Sequence, residues 1–376
     1  MSKRILIAGS GGIGRAVGLL LRELGELDVE LIFGDADPQQ VASAVEFAGG
    51  GDSVGIPFNG STPELDRALA SADLVLDCLP GGQATRVAAW ALEHGCHYAN
   101  LTEYVAQTNL ILEMTREAQT GFALQCGLAP GFVNVLGNKL FQDFTRRFGV
   151  DKVDVLKMRV GALTRNAEAP HFYGFTWSPI GVATEYVRNA VVVRDWNRTS
   201  LDSLAEVQRL LIDGVPYEEA TTSGGAADMP TALSGRVRHL DYKTLRYPGH
   251  WAWVRRQLDA IGEVPDRVAQ LQDRMLSAIP QMQDDIVVIY AACEGRTPSG
   301  RRRLDAAYKV FPMELGGQRL RAIQSTTAAG LAECARILLT EDVRGALLQS
   351  QLGCEDYLNG PYCSAVYGHP LSEQLG

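Results

Sequence analysis

Residues 3–14, Lys-Arg-Ile-Leu-Ile-Ala-Gly-Ser-Gly-Gly-Ile-Gly, restrict what this chain can fold into more than any other stretch. The apolar run Ile5 to Ala8 reads as a buried parallel strand, and it leads straight into a turn spaced Gly9, Gly11, Gly14. Beyond the turn, Ile13, Ala16, Val17, Leu20, Leu21 and Leu24 recur at the spacing of one helical face. Strand, glycine turn and helix in that order give a common motif its meaning. Gly9 allows the tight turn, Gly11 lets backbone approach a pyrophosphate, and Gly14 lets helix and strand pack closely. The free N–H groups of the helix start then face the phosphates, and the helix dipole favours their charge. Gly9, Ser10, Gly11, Gly12, Ile13 and Gly14 are therefore the first candidate cofactor residues.

The next strand agrees. Val29 to Asp35 is apolar and ends in an acid about 20 residues past the last glycine, where a carboxylate meets a ribose 2′-hydroxyl. Asp35 and the adjoining Ala36 join the cofactor set; Asp37 adds a second negative charge, and no arginine follows until Arg67. A 2′-phosphate would be repelled here, so the expected cofactor is NAD rather than NADP.

From residue 29 strands and helices alternate: helix 38–47, strand 54–58, helix 62–70 with Thr62 as cap and Pro63 in its first position, strand 73–80, helix 82–94, strand 96–101, helix 105–119 and strand 122–126. This pattern predicts an α/β fold, an N-terminal Rossmann doubly wound parallel sheet, with its crevice at the carboxyl ends of the strands. Cys78, Leu79 and Pro80 end the fourth strand beside the expected cofactor, and Glu103 follows the fifth, at the same edge. The turn Gly127-Leu128-Ala129-Pro130-Gly131-Phe132-Val133-Asn134 then leads into a helix to 148 and suits a hinge.

Past Val153 the pattern changes to a second α+β domain on a largely antiparallel sheet, with strong strands at 285–294 and 302–311 joined by a Pro-Ser-Gly turn. Residues 195–235 promise short strands at most. A long helix, 320–339, returns to the first domain, and the stretch from 352 shows little regular pattern. The expected division is a NAD-binding domain 1–130 completed by 319–350, a substrate and dimerisation domain 131–318, and a C-terminal tail 351–376.

A hydrophobic content of 46% and a net charge of −9 without like-charge runs suit a globular enzyme, and no basic stripe points to nucleic acid. No apolar stretch reaches the ~18 residues of a membrane span. The immediate first strand leaves no room for a leader, and seven scattered cysteines lack metal spacing. The expectation is a cytoplasmic protein with reduced thiols and no metal.

Chemistry concentrates in Leu240-Asp241-Tyr242-Lys243-Thr244-Leu245-Arg246-Tyr247-Pro248-Gly249-His250. Lys243 or Arg246 could hold a substrate carboxylate, the arginine in bidentate fashion. His250 titrates near neutral pH and is the expected proton acceptor. Tyr242 is a candidate substrate contact. The aromatic loop 167–179, with His171 and Tyr173, is a candidate pocket wall or a contact between copies.

At these motifs the sequence resembles the saccharopine dehydrogenase-like family, and within it the lysine 6-dehydrogenase branch. The resemblance rests on Gly9–Gly14, on Gly127–Asn134, on Thr176-Trp177-Ser178-Pro179-Ile180-Gly181, and most specifically on Asp241–His250. It implies oxidoreduction at a carbon–nitrogen bond of an amino acid, a homodimer, and a place near the substrate for Pro130, Gly131, Arg246 and His250. Family members oxidise the ε-amine of lysine or make and break secondary amines such as saccharopine. Ile180 departs from the acid often found in that turn of the family, which opens the substrate to other amines. Two rivals stand beside this reading: a NAD-dependent dehydrogenase of a semialdehyde or hydroxy acid, and a non-enzymatic NAD(H)-sensing protein.

Overall fold

The computed structural model describes residues 2–372 except 26, 52 and 61. The chain divides into two compact units: residues up to 132 with 313–320 and 324–368, and residues 133–312 with 321–323 and the segment from 369.

The first unit opens with β1 (Lys3–Ala8), α1 (Gly12–Glu23), β2 (Val29–Asp35), α2 (Pro38–Phe47), β3 (Val54–Pro57), α3 (Pro63–Ser71) and β4 (Leu74–Asp77). It continues with α4 (Ala84–Glu93), β5 (His97–Asn100), α5 (Val105–Met114) and β6 (Gly121–Ala123). Ile5, Leu6, Ile7 and Ala8 are all buried, as a parallel strand covered on both faces requires. Thr62 caps α3 by accepting from the Leu65 amide (3.1 Å), with Pro63 in the first turn.

The second unit contains α6 from Val133 (the helix is Phe132–Phe148), β7 (Val153–Thr164), α7 (Pro179–Val187), β8 (Ala190–Arg194) and β9 (Asn197–Leu201). Then come β10 (Gln208–Ile212), β11 (Val215–Thr221), α8 (Met229–Ala232), β12 (Val237–Arg246), α9 (His250–Ile261), α10 (Arg267–Ala278), β13 (Asp285–Thr297) and β14 (Gly300–Val310). The remainder is β15 (Met313–Leu315), β16 (Gln318–Leu320), α11 (Ala322–Thr340), β17 (Gly345–Leu347), α12 (Cys354–Leu358) and α13 (Pro361–Tyr367).

The first sheet is parallel, with strand order β17-β6-β5-β4-β1-β2-β3. It has one strand more than the pattern predicts: β17 comes from the C-terminal part and pairs with β6. A three-residue strand is too short to show a period in sequence. For the same reason the expected irregular stretch from 352 turns out to hold α12 and α13, while its last four residues, 373–376, lie outside the described residues.

The second sheet is mixed, in the order β10-β11-β12-β7-β13-β14, with β8 and β9 off β12. Among the described residues its pairings are antiparallel, in line with the expectation, except for β12–β7, which is parallel. Residues 195–235 supply three strands, β9 to β11, so this region is more regular than its Gly and Ser content suggests. The sheet curls until its end strands meet, since Lys309 of β14 pairs with Asp213 beside β10 at 2.6 Å. Leu163, Tyr217, Leu245, Val288 and Tyr290 form the apolar filling of that curl. Tyr173, Tyr186, Trp251, Trp253 and Met275 form a separate core with the helices. Asp285 holds the start of α11 by accepting the Ala322 and Ile323 amides at 2.8 and 2.9 Å.

Candidate functional site

In the first unit the glycine turn behaves as its spacing demands. Gly9 has φ +96°, and a Cβ there would come within 2.9 Å of the Cys78 carbonyl carbon. A Cβ on Gly14 would lie 1.9 Å from the Gly9 oxygen, so helix and turn could not close with any side chain at that position. Gly11 is different: nothing lies within 4 Å of its missing Cβ, which leaves the space over the turn open. No side chain caps the start of α1, and no acid stands in its first turn. Gly12 and Ile13 therefore offer their amides to an anion. The buried Ser10 hydroxyl has no hydrogen-bond partner among the described residues. Open space, uncapped amides and an orphaned hydroxyl together fit a dinucleotide pyrophosphate.

Asp35 ends β2 beside this turn. Its carboxylate accepts the Ser10 amide (2.8 Å) and the Asp37 amide (3.0 Å), which fixes it against the loop while lone pairs remain for a ribose. Ala36 is exposed next to it. Asp37 is engaged in capping α2 through the Gln39 amide (2.9 Å). At the neighbouring strand end, the Cys78 amide bonds the Ala8 carbonyl (2.7 Å), and the Leu79 amide bonds Asp77 Oδ1 (3.0 Å), with Pro80 exposed beyond. Glu103 lies half-buried just past β5. Pro130 and Gly131 belong to a tight turn in which the Gly127 amide meets the Pro130 carbonyl (3.0 Å) and the Phe132 amide the Gly127 carbonyl (2.9 Å).

In the second unit β12 carries the candidate segment, and its alternation sends Asp241 and Lys243 to one face and Tyr242, Thr244 and Arg246 to the other. Lys243, a candidate from the sequence, is engaged by the protein itself. Its ammonium donates to the Glu206 carbonyl (2.8 Å) and faces Glu206 Oε2 (3.4 Å) and Glu219 Oε1 (3.6 Å), so its charge is met by the protein's own acids. It belongs to a network in which Arg159 pairs with Glu219 (2.6 Å) and Asp241 (2.7 Å), and Arg194 with Glu206 and Asp241 (2.6 Å each). Three cations meet three carboxylates. Burial alone would raise the Asp241 pKa, but Arg159, Lys243 and Arg194 hold it to about 2. Tyr242 is also buried, packed against Gly225, with the Thr244 hydroxyl 3.5 Å from its own.

Arg246 is differently placed. It is buried, yet its side chain makes only two hydrogen bonds, from Nε to the Tyr186 hydroxyl (2.7 Å) and from Nη1 to the Leu245 carbonyl (2.8 Å). The guanidinium lies over the rings of Tyr173 (4.6 Å to the centroid), Tyr186 and Trp251. Burial works against its charge, but Tyr186, Tyr173 and buried Glu185 outweigh burial and raise its pKa. Tyr173 is buried with an unpartnered hydroxyl. Burial also raises the Tyr173 pKa against the pull of Arg246, and Trp177 lies near enough to act on the phenol without forming a hydrogen bond.

His250, the expected proton acceptor, lies in the interior. It is fully buried, with Nδ1 on the His171 carbonyl (2.7 Å) and Nε2 on the Tyr186 hydroxyl (3.1 Å). A carbonyl only accepts, so Nδ1 carries the proton, and Tyr186 must donate to Nε2. Burial first, and then the Arg246 charge, lower its pKa to about 3. Such a ring is neutral and occupied at both nitrogens, and the Tyr186 hydroxyl that fills Nε2 also accepts from Arg246 Nε. Tyr186, Glu185, Arg159 and Glu219 carry no sequence signal of their own; the Thr176–Gly181 motif just before Tyr186 was the nearest pointer.

Among the described residues, no group of three or more His, Cys, Asp or Glu side chains could hold a metal ion, and no helix is long and apolar enough to cross a membrane. All seven cysteines are free.

Comparison with known proteins covers nearly the whole chain. Residues 5–124 match the saccharopine dehydrogenase NADP binding domain, and residues 127–362 the saccharopine dehydrogenase C-terminal domain. Among solved structures, the fold is similar to apo saccharopine dehydrogenase (L-Glu forming) from Saccharomyces cerevisiae, with TM-score 0.74 and 16% identity over 98% of each chain. It is also similar to the homospermidine synthase from Legionella pneumophila solved in complex with NAD, with TM-score 0.69 and 13% identity over 98% of this chain and 91% of that one.

Proposed function

This chain belongs to the saccharopine dehydrogenase family, and from that premise we propose that it is a NAD-dependent oxidoreductase acting on a carbon–nitrogen bond of an amino acid or related amine. The observation that carries the proposal is the glycine turn with its open space at Gly11, uncapped helix start and adjoining Asp35. Gly9 to Gly14 would hold the pyrophosphate and Asp35 the adenosine ribose. NAD, when bound, supplies the hydride acceptor. NAD is favoured over NADP because Asp35 and Asp37 stand where a 2′-phosphate would need a cation. The Legionella structure, which holds NAD, lends this support.

On the substrate side, Arg246 is the group suited to a carboxylate. Most of its N–H groups are unmatched, and the Tyr173 hydroxyl beside it also lacks a partner. A single carboxylate would satisfy both, whereas Lys243 is saturated by the protein's own acids. His250 and Tyr186 hold Arg246 in place rather than move the amine proton. The oxidised substrate is an imine that hydrolyses or cyclises; the reverse reaction joins an amine to a carbonyl compound. The lysine 6-dehydrogenase branch makes the ε-amine of lysine the first substrate to try, with saccharopine next. Activity as a homodimer is part of this proposal, and sedimentation velocity would test it.

The deciding experiment follows NADH formation with NAD and a panel of lysine, saccharopine, diamines and hydroxy acids. Turnover with an amine that carries a carboxylate is expected. Turnover with hydroxy acids alone would replace the reading by a dehydrogenase of C–O bonds. Tight NADH binding with no turnover on any compound would favour a sensor.

A further inference from the structure

At the carboxyl end of β4, next to the glycine turn, Asp77 is a buried carboxylate with no cation paired to it among the described residues. Its two oxygens each accept one hydrogen bond: Oδ1 from the Leu79 amide (3.0 Å) and Oδ2 from the Tyr98 hydroxyl (2.8 Å). The peptide it holds touches the turn, because Gly9 is kept bare by Cys78 and by Leu79 N, 3.0 Å from where its Cβ would be. The same Tyr98 hydroxyl lies 3.2 Å from the Ala84 carbonyl, a second acceptor, and receives the Asn100 side-chain amide at 3.3 Å.

This arrangement is complete with or without one extra proton. Ionised, Asp77 accepts from Tyr98 and Leu79. Protonated on Oδ2, it would donate to the Tyr98 oxygen, Tyr98 would turn its hydrogen to the Ala84 carbonyl, and Leu79 would stay on Oδ1. Only a hydroxyl rotation separates the two states, and neither leaves a buried donor unmatched. An asparagine would reproduce only the protonated pattern, with Oδ1 accepting from Leu79 and Nδ2 donating to Tyr98, and could not follow the change of state.

We propose that Asp77 is a proton-linked positioning residue for the cofactor: binding of the dinucleotide at the glycine turn is accompanied by net proton uptake from solvent onto Asp77 Oδ2. A dinucleotide brings the negative charges of its pyrophosphate to that turn, and they disfavour a carboxylate next to it. By linkage, whatever raises the proton affinity of Asp77 must make dinucleotide binding stronger where Asp77 is protonated. The groups facing Asp77 are few. β5 contributes Tyr98 and neutral Asn100, α4 contributes the charge of Arg86 (itself stacked on Trp90), the strand's own end contributes Cys78, and β1 contributes none at Ala8. Burial lifts the Asp77 pKa to about 6, with Tyr98, Leu79 and Arg86 pulling back. The exchange therefore falls in an accessible range: affinity is highest below about pH 6 and declines as pH rises through the interval between the free and the bound value.

The proposal rests on the reading that a pyridine nucleotide occupies the glycine turn, and the test separates the two. NADH is titrated into the full-length protein by calorimetry between pH 5.5 and 8, in buffers of different ionisation enthalpy. Uptake of about half a proton near pH 6.5, with affinity roughly tenfold weaker at pH 8 than at pH 5.5, is expected for the wild type. Asp77→Asn should bind NADH with neither uptake nor that slope. Absence of uptake in the wild type, or equal uptake in both proteins, overturns the proposal while leaving the cofactor reading intact. No binding heat with NADH or NAD at any pH sinks the cofactor reading itself, and this inference with it. Should Asp77→Asn not fold, Asp77→Ser serves: it removes the titrating carboxyl, so uptake must vanish, and uptake equal to that of the wild type overturns the proposal.

Discussion

His250 donates from Nδ1 to the carbonyl oxygen of His171, 2.7 Å away, and this bond fixes the tautomer of the ring. The other nitrogen is left as an acceptor, which Tyr186 fills. With a pKa lowered to about 3 by burial and by Arg246, the ring stays neutral in the folded protein. The unfolded chain, with an ordinary value near 6.5, takes up the proton first. Stability from this group is therefore whole above about pH 6.5 and is lost as pH falls toward 3, by about 1.4 kcal/mol for each pH unit in between. Urea unfolding of the wild type should weaken between pH 6.5 and 4 more steeply than that of His250→Asn. Equal slopes would show that His250 is not the neutral, buried group described. In kinetics, His250→Asn should keep the acid limb of the wild-type pH–rate profile, because a positioning residue does not set it.

Gly11 and Gly14 separate binding from folding. The open space at Gly11 accepts a methyl group without contact, so Gly11→Ala should leave the melting temperature within about 2 °C and weaken NADH binding by about tenfold or more, since the methyl fills the pyrophosphate's place. Gly14→Ala must push apart the Gly9 carbonyl and α1, and should lower the melting temperature by several degrees along with affinity. Differential scanning fluorimetry beside fluorescence titration tells the two apart. A Gly11→Ala protein that binds NADH like the wild type would remove this turn from the cofactor site.

Asp35 decides between the two nucleotides. The wild type should prefer NADH to NADPH by about a hundredfold in Kd, and Asp35→Ser should narrow that gap to tenfold or less by weakening NADH and removing a repulsion. Equal wild-type affinities for both cofactors would exclude Asp35 from a ribose contact.

Lys243 and Arg246 make opposite predictions although three residues apart. Lys243→Met takes a cation from buried Glu219 and should destabilise the protein by about 3 kcal/mol in urea unfolding. At a permissive temperature its KM for a carboxylate substrate should stay within about twofold, since the ammonium's charge is met by Glu206 and Glu219. A large rise in KM without loss of stability would return Lys243 to the substrate site.

Tyr173→Phe tests the other half of the anion pair. Loss of one hydroxyl donor to a carboxylate should raise KM about tenfold with kcat within about threefold, and the fold should be unharmed because that hydroxyl has no partner to lose. If KM is unchanged while the melting temperature falls, Tyr173 is packing material only.

The N-terminal motif was legible before any coordinates, because its constraints are local. A turn at φ +96°, a helix that touches a strand's carbonyl, and an acid one strand further on each require particular residues at set spacing, and that spacing is written in the chain. The parallel sheet was legible for a similar reason: long apolar runs alternating with helical periods admit few other folds. The segment 241–250 was legible only as a concentration of polar side chains. Which of them is available was decided by residues far away in sequence, with Arg159, Arg194, Glu206 and Glu219 closing on one face of β12. Tyr173, Tyr186 and His171 close on the other. A buried charge must be compensated wherever it stands, and its compensating partner is supplied by tertiary packing, which no local spacing encodes. Lys243 and His250 are therefore committed to the protein's interior while Arg246 keeps unmatched donors, a distinction that exists only once the second sheet has curled and its helices have packed.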